Sequence, residues 1–389
     1  MLKIILGLSF VVKIIIVFFI HEKGLSDEWL VLFDNFEKLN LYTYYTLEGQ
    51  NLPSSYMPPL YLIFLYVNKI LSFEVFNFIY LVYFSQVILS TLSVILFFKL
   101  CNYFVDSKLS IIGVTVFAFF PLLVFSNAII SSATIQLFLY LLFINFSIEI
   151  INEKKKINII SYSIIIACCL LLRGEFLIVL FLSFIFILIN NKKRIKFIAT
   201  VSLASLLIIS PYLIRNYINT DKVHITSVTG YALWKGNNHF EKVEGFFYPL
   251  NPESRINWPD IPQFSNLYKK LDNLKINKRY ELERDQVFFH EALDNIFEEK
   301  KKYFLLYIKK IFSYFFIDLN SSIPNYYNLF HIIPNIIVAI FAIPGIILSL
   351  IKNKKNKLMY LLLIMFSLIS IISIFFILPR YKVSILSFQ

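Results

Sequence analysis

The sequence predicts an all-α protein that crosses a membrane many times. Of its 389 residues, 58% are hydrophobic and only 16% are charged, whereas soluble domains carry about 25% charged residues. Apolar runs recur along the chain, and each is long enough to cross a hydrocarbon core of about 30 Å. We expect membrane segments at residues 2–20, 76–101, 108–125, 128–150, 157–172, 174–190, 196–213, 331–351 and 358–378.

The first apolar segment occupies the position of a signal peptide. Residues 17–22 read VFFIHE and offer no small-x-small cleavage site, so we expect an uncleaved first span. The cysteines lie in or at the ends of apolar segments and predict neither a disulfide framework nor a metal site. They are Cys101, Cys168 and Cys169.

Three clusters of basic residues predict the orientation. They are Lys154, Lys155 and Lys156; Lys192, Lys193, Arg194 and Lys196; and Lys352, Lys354, Lys355 and Lys357. They fall on alternate connections, as the positive-inside rule expects of cytoplasmic loops. Binding of anionic lipid or nucleic acid is the alternative. Because the clusters are short and flank apolar segments, we favour topology and expect no nucleic-acid partner.

The alternate connections then face the outside of the cytoplasmic membrane, and the chain divides into three regions. Residues 1–213 hold the N-terminal membrane helices and a first external loop, 21–75. Residues 214–330 form an external loop with juxtamembrane helices, and residues 331–389 hold the C-terminal membrane helices. The spacing predicts a localisation in the cell membrane with any active site outside.

Three external segments are expected to be helical. Pro58-Pro59 opens the short apolar stretch LYLIFLYVNKIL, which suits a helix start at the outer interface. Residues 279–299 place Phe289, Ala292, Leu293 and Ile296 on one apolar face. Residues 303–317 mix aromatic residues with Lys309 and Lys310, which we expect at the lipid headgroups.

Charged and polar residues gather at the outer membrane boundary. Asp27 and Glu28 follow the first span, where carboxylates next to lipid are costly and therefore suggest a site. The others are Arg173 and Glu175 between two spans, Arg215 and Asn216 after residues 210–212, Trp234, Asn237 and Asn238 within the segment GYALWKGNN, and Arg380 with Tyr381 near the chain end. Snorkelling, aromatic belts and turn capping are the structural alternatives for these residues.

In this order the boundary motifs resemble the GT-C superfamily of membrane glycosyltransferases. The nearest branch includes protein O-mannosyltransferases and bacterial lipid A aminoarabinose transferases. Two features depart from that pattern. Many relatives carry a Glu near the start of the fourth span, where this chain has Ser131-Ser-Ala-Thr134. The Arg380-Tyr381 motif usually opens a further span, whereas this sequence stops at Gln389, which leaves truncation or a missing last span as interpretations.

The resemblance implies that a polyprenyl-phosphate-linked sugar is the donor and that the anomeric centre is inverted. Arginine binds phosphate oxygens in bidentate fashion, so Arg215, Arg380 and Arg173 are candidates for the donor phosphate. Asp27 is the candidate base that deprotonates the acceptor, and Glu28 would tune or orient it. Glu175 is expected to pair with Arg173.

The remaining polar boundary residues, Asn216, Trp234, Asn237, Asn238 and Tyr381, are candidates for substrate contact. The acceptor class stays open among lipid, glycan and protein. No cofactor or metal ligand set is predicted, although a divalent cation held by Asp27 and Glu28 stays open.

A lipid-linked-sugar flippase or transporter is the alternative function. Transporters place ionisable residues near the middle of their spans. The predicted spans are nearly free of charge, which favours chemistry at the outer boundary. A membrane scaffold without substrate would leave the order of the boundary motifs unexplained.

Overall fold

The computed structural model of the protein describes residues 1–22, 24–25, 27–73, 75–152, 158–246, 261–318, 320–321, 328–352 and 356–387. The side chains of Asp27, Ser349, Lys352 and Asn356 lie outside this description. Several residues of the predicted basic clusters lie outside the described residues altogether, as does the C-terminal residue. These are Lys154, Lys155, Lys156, Lys354, Lys355 and Gln389.

The described part of the chain is almost entirely helical. Its first helices are α1 (Leu2–Ile20), α2 (Asp27–Leu39), α3 (Leu60–Leu71), α4 (Phe78–Cys101), α5 (Ser107–Phe119), α6 (Pro121–Phe125), α7 (Ala133–Ile151), α8 (Ile159–Leu172) and α9 (Phe176–Asn190). The later helices are α10 (Ile195–Thr220), α11 (Thr229–Gly236), α12 (Ser265–Asp272), α13 (Tyr280–Glu298), α14 (Lys300–Phe315), α15 (Leu329–Lys352), α16 (Asn356–Ile374) and α17 (Pro379–Lys382). Short 3₁₀ turns occupy Ser126–Ala128, Lys192–Arg194 and Pro262–Phe264. Two short strands, β1 (Thr46–Leu47) and β2 (Gln50–Asn51), form an antiparallel hairpin in the first external loop.

Every apolar segment expected to enter the membrane is helical. Six of the helices are long and apolar enough to span a membrane: α1, α4, α7, α10 with the turn before it, α15 and α16. α5 and the stretch Pro121–Ala128 are together long and apolar enough to span a membrane, but they are bent by 50° relative to each other, as in a broken span or a re-entrant loop. α8 and α9 are shorter apolar helices of 14 and 15 residues. The predicted all-α membrane fold is therefore confirmed.

The two ends of the membrane helices differ in chemistry. At one end Lys99 of α4 forms a 2.6 Å ion pair with Glu149 of α7, and the Tyr103 hydroxyl donates to the same carboxylate at 3.2 Å. The basic turn Lys192–Arg194 follows α9. α9 begins close to Arg173, and its 15 residues span about 22 Å at 1.5 Å per residue. Arg173 and the basic turn therefore lie at opposite ends of the bundle.

Two helix boundaries differ from the expected ones. α10 continues through Pro211 to Thr220, seven residues beyond 213. Proline removes one helical hydrogen bond, but the next turn is held because Arg215 and Asn216 donate hydrogen bonds to the surrounding loops. α16 ends at Ile374, and Ile377 donates its backbone N–H to Val243 O at 2.8 Å instead of extending the helix.

The expected faces of two external helices are wrong in part. On α13, Ala292 is buried and Leu293 and Ile296 are partly buried, as expected. In α13, Phe289 is 38% exposed, whereas Phe288 and the polar residue Arg284 are buried. Arg284 is tolerated there because it donates to the Tyr45 hydroxyl at 2.7 Å and lies over the Phe288 ring at 4.9 Å. In α14, Lys309 is exposed but Lys310 is fully buried and cannot reach lipid headgroups.

A buried carboxylate joins the first external loop to α13. Glu281 accepts hydrogen bonds from Ser54 Oγ at 2.6 Å, from Ser55 N at 2.8 Å and from Ser227 Oγ. Burial raises the pKa of Glu281, and these hydrogen bonds oppose the rise. The carboxylate therefore ties loop 52–56, residue 227 and α13 into one external layer.

That layer has its own hydrophobic core. Its buried residues are Tyr231, Leu233, Trp234, Phe264, Leu267, Leu271, Phe288 and Ala292. Full burial of a large apolar side chain contributes about 1.5–3 kcal/mol. The external layer is consequently a packed platform at one end of the membrane bundle and not a set of loose loops.

Candidate functional site

A cleft of about 100 Å³ opens where several membrane helices end beside α2. Residues from the ends of α1 and α8, from the turn before α7, from α2 and from α17 meet there. The cleft is lined by Glu22, Glu28, Trp29, Met57, Ile129, Ile130, Ser131, Ser132, Arg173, Arg380 and Tyr381. Four of the residues singled out in the sequence, Glu28, Arg173, Arg380 and Tyr381, are thus brought together from three distant parts of the chain.

The acidic pair lies at the beginning of α2. Asp27 is the first residue of this helix, and its side chain lies outside the described residues. Glu28 follows it and lines the cleft. Trp29, the next residue, is buried against Tyr61 of α3 with ring centroids 4.6 Å apart. This packing fixes the start of α2, and with it Glu28, at the cleft.

A second carboxylate among the lining residues is that of Glu22, which the sequence analysis does not identify as a candidate. Its Oε2 accepts a hydrogen bond from Ile130 N at 3.2 Å, and its own N–H donates to Ala128 O at 3.3 Å. Its carbonyl accepts the Tyr83 hydroxyl at 2.8 Å. The available signal was an acid immediately after the first span, but the partner at Ile130 is 108 residues away.

Two arginines approach one aromatic ring in the cleft. The Tyr381 ring centroid lies 6.0 Å from Arg173 Cζ and 5.7 Å from Arg380 Cζ. The Arg173 Nε is buried and makes no hydrogen bond to any residue that the structure describes. A guanidinium presents its donors in a fixed fork that matches phosphate or carboxylate oxygens. This arrangement can therefore bind an anionic group.

Two serines line the same cleft, at the position where the GT-C resemblance predicts an acidic residue. Ser131 and Ser132 lie in the turn before α7, directly after Ile130. The Glu22 carboxylate reaches this turn from the end of α1. The Glu22 carboxylate therefore lies near the turn that holds Ser131 and Ser132.

Arg215 and Asn216 face the first external loop and do not line the cleft. Arg215 donates to Tyr42 O at 2.7 Å, to Ser54 O and to Asn216 Oδ1 at 2.9 Å. Asn216 is fully buried and donates to His224 O at 2.9 Å. Burial lowers the pKa of His224. These contacts anchor the loop on α10.

Glu175 occupies the position before α9 and makes no capping hydrogen bond there. Among the described side chains, no ion pair joins Glu175 to Arg173, so the expected pairing is not formed. Arg173 instead turns its guanidinium toward Tyr381.

Trp234, Asn237 and Asn238 lie inside the external layer. Trp234 is fully buried in its core. Asn237 Nδ2 donates to Leu233 O and Ile374 O, both at 2.8 Å. Asn238 Nδ2 donates to Trp234 O at 3.1 Å. These side chains connect the end of α11 to its surroundings and do not line the cleft.

Among the residues described, which exclude the Asp27 side chain, no group of three or more His, Cys, Asp or Glu side chains is close enough to hold a metal ion. A divalent cation such as Mg²⁺ or Ca²⁺ requires a shell of oxygen ligands. The described acids of the cleft do not form such a shell by themselves.

No protein-family model matches the sequence, and no curated protein matches it. Among solved structures, the chain is similar to the archaeal oligosaccharyltransferase AglB from Archaeoglobus fulgidus in complex with an inhibitory peptide and a dolichol-phosphate. The two share 14% identity with a TM-score of 0.56. The chain has a GT-C-type membrane fold. The match covers 99% of this chain and 49% of AglB, so the chain spans about half the length of that protein.

Proposed function

We propose that the protein is a glycosyltransferase that moves a sugar from a polyprenyl-phosphate donor to an acceptor at the outer face of the cytoplasmic membrane. The observation that carries this proposal is the cleft at one end of a GT-C-type bundle. It combines the carboxylates of Glu22 and Glu28 with the guanidiniums of Arg173 and Arg380.

The arginines suit the leaving group of such a reaction. When the sugar–phosphate bond breaks, negative charge develops on the phosphate oxygens. Arg173 and Arg380 both lie near the Tyr381 ring and can donate several hydrogen bonds to one phosphate. Donors that are fixed before the reaction stabilise charge that develops in the transition state.

A carboxylate supplies the base. The acceptor hydroxyl or amine must lose a proton as it attacks the anomeric carbon, and a carboxylate within hydrogen-bond reach takes it. Asp27 is our first candidate because the family resemblance selects it and α2 begins with it. Glu28 and Glu22 line the cleft and are the alternatives. A single displacement of this kind inverts the anomeric centre.

The donor and acceptor classes are part of the proposal. AglB was solved with a dolichol-phosphate and an inhibitory peptide, which supports a lipid-phosphate donor for the same fold. The acceptor of this chain would be a peptide, a glycan or a lipid that reaches the cleft from outside.

The outward orientation is supported by the distribution of charge. The cleft lies at the opposite end of the bundle from the basic turn Lys192–Arg194, which the positive-inside rule assigns to the cytoplasm. In a variant whose native cysteines are replaced by serine, Lys222→Cys should react with an impermeant maleimide from outside. Lys193→Cys should react only after the membrane is opened. The reverse pattern would overturn the orientation.

The activity test is transfer by purified protein in vesicles that contain polyprenyl-phosphate sugars. Of the three variants Asp27→Asn, Glu28→Gln and Glu22→Gln, the one that removes the catalytic base should lose about 10²- to 10⁴-fold in kcat. Asp34→Asn is the matched control, because Asp34 lies on the same helix α2 in an exposed ion pair with Lys38. Unchanged transfer by Asp27→Asn would exclude Asp27 as the base, and absence of transfer with every donor would contradict the proposal.

A lipid-linked-sugar flippase remains the second candidate, and one observation favours it. Lys13 lies within α1 and is only 1% exposed, and ionisable residues inside spans are typical of transport pathways. The same vesicles decide between the functions. Donor movement between leaflets that is lost in Lys13→Met, without any sugar transfer, would establish the flippase.

A further inference from the structure

The turn that ends α11 holds the chain segment that leads to Arg380. α11 ends at Gly236, and α16 ends at Ile374. Asn237 Nδ2 donates to Ile374 O at 2.8 Å, and Ile377 N donates to Val243 O at 2.8 Å. The segment 374–377 is thus bonded at both ends to residues 237–243, three residues before Arg380.

Two glycines allow this close approach. A Cβ at position 236 would lie 1.9 Å from Phe375 O, which is backbone and cannot turn away. Gly245 has a φ of +78°, and a Cβ there would lie 3.0 Å from Phe376 Cβ. Only glycine fits where a backbone approaches this closely or adopts such a φ without strain. The contact between the two segments therefore depends on these positions.

The turn itself is held by hydrogen bonds to the external layer. Lys310 Nζ donates to Gly236 O at 2.9 Å and to Asn237 Oδ1 at 3.1 Å. Asn295 of α13 donates to Asn237 O at 3.2 Å. The Asn237 amide uses both of its N–H groups on Leu233 O and Ile374 O and its oxygen on Lys310. It has no donor left for a sugar hydroxyl.

A chain of ring contacts leads from this turn into the cleft. Lys235 Nζ lies 4.8 Å from the Phe376 ring centroid, and the Phe376 ring lies 5.8 Å from that of Tyr381. Tyr381 in turn lies between Arg173 and Arg380. A shift of segment 374–377 would therefore move the ring that both guanidiniums contact.

We infer that Gly236 and Asn237 are positioning residues that fix segment 374–377 and so aim Arg380 at the anionic group bound in the cleft. The role of Arg380 in this inference rests on the proposed function. The anchoring of segment 374–377 by Gly236 and Asn237 does not depend on the proposed function and is tested separately.

Hydrogen–deuterium exchange of the purified protein tests whether Gly236 and Asn237 anchor segment 374–377. Gly236→Ala and Asn237→Ala should accelerate amide exchange in residues 374–381 by about 10-fold, because the bonds that protect them open. Gly345→Ala is the matched control, since a Cβ at 345 meets nothing within 4 Å. The Asn237 variant adds no steric clash and serves if Gly236→Ala does not fold. Wild-type exchange in 374–381 for the variant that folds would overturn the inference.

A double-substitution experiment tests the link to Arg380. Gly236→Ala alone should raise the donor KM by ~10- to 100-fold, as small displacements of a substrate-positioning group do. Added to Arg380→Ala, it should have almost no further effect, because the group it positions is already gone. Fully additive effects would overturn the link. Absence of transfer in the wild type would count against the proposed function. The exchange result would then still show whether segment 374–377 is anchored.

Discussion

The guanidinium of Arg173 lies over the ring of Tyr381, with Arg173 Cζ 6.0 Å from the ring centroid. The two residues are more than 200 positions apart. Arg173 follows the last residue of α8, Tyr381 lies on α17, and both line the cleft. The ring holds the guanidinium plane by a cation–π contact, and the buried Nε has no acceptor among the described parts of the chain. The contact leaves Arg173 oriented and still able to bind an anion.

Arg173→Ala is expected to raise the donor KM by about 10- to 100-fold, because hydrogen bonds to a charged group contribute about 1.5–3 kcal/mol. Arg173→Lys should retain part of the affinity, since it keeps the charge but loses the planar fork. Steady-state kinetics over a range of donor concentrations measures both. Arg279→Ala, which removes an exposed arginine paired with Asp221, should leave the KM unchanged. A wild-type KM for Arg173→Ala would disprove the contact with donor.

Arg215 should behave in the opposite way. It donates to the carbonyls of Tyr42 and Ser54, so Arg215→Gln leaves buried acceptors without partners at a cost of about 1–3 kcal/mol. We expect a lower thermal unfolding temperature in detergent and a donor KM close to that of the wild type. The opposite combination, an unchanged unfolding temperature with a raised KM, would instead support a contact between Arg215 and the donor phosphate.

The different positions of these two arginines show what the sequence could and could not predict. Long apolar runs predicted the membrane helices, because the bilayer core requires helical segments of that length. Arg173 and Arg215 both follow such runs and look alike in the sequence. Whether the side chain faces the cleft or the first external loop depends on partners 160 or more residues away.

Glu22 and Asn237 extend this point. In the sequence, Glu22 is only part of a segment without a cleavage site. Its hydrogen bond to Ile130, 108 residues away, depends on the tertiary fold and leaves no local signal. Asn237 stands in a motif that suggested sugar binding, but its amide is engaged by Leu233, Ile374 and Lys310. Position along the chain predicted the boundary, and tertiary contacts determined the orientation of each side chain.

Glu281 should be more important for stability than for transfer. It receives hydrogen bonds from Ser54, Ser55 and Ser227 within the external layer. Glu281→Gln replaces an acceptor oxygen with a donor and leaves at least one buried group unpaired, at about 1–3 kcal/mol. The thermal unfolding temperature should fall, whereas Glu298→Gln at the exposed end of α13 should not change it. Equal unfolding temperatures for the two variants would contradict the anchoring role.

Lys310 should make the stability of the external layer depend on pH. Its side chain is fully buried, and burial lowers its pKa from 10.5 to about 7. Between pH 7 and 10.5 the unfolded chain therefore binds more protons than the folded one. Stability then rises with pH by up to about 1.4 kcal/mol per unit, and the slope from this group vanishes below pH 7, where both states are protonated.

Thermal unfolding at pH 6.5, 7.5 and 8.5 should show the wild type gaining stability relative to Lys310→Met as the pH rises. Lys309→Met, at the exposed neighbouring position, should follow the wild type at every pH, and a constant difference between wild type and Lys310→Met would show that the amine does not titrate in this range.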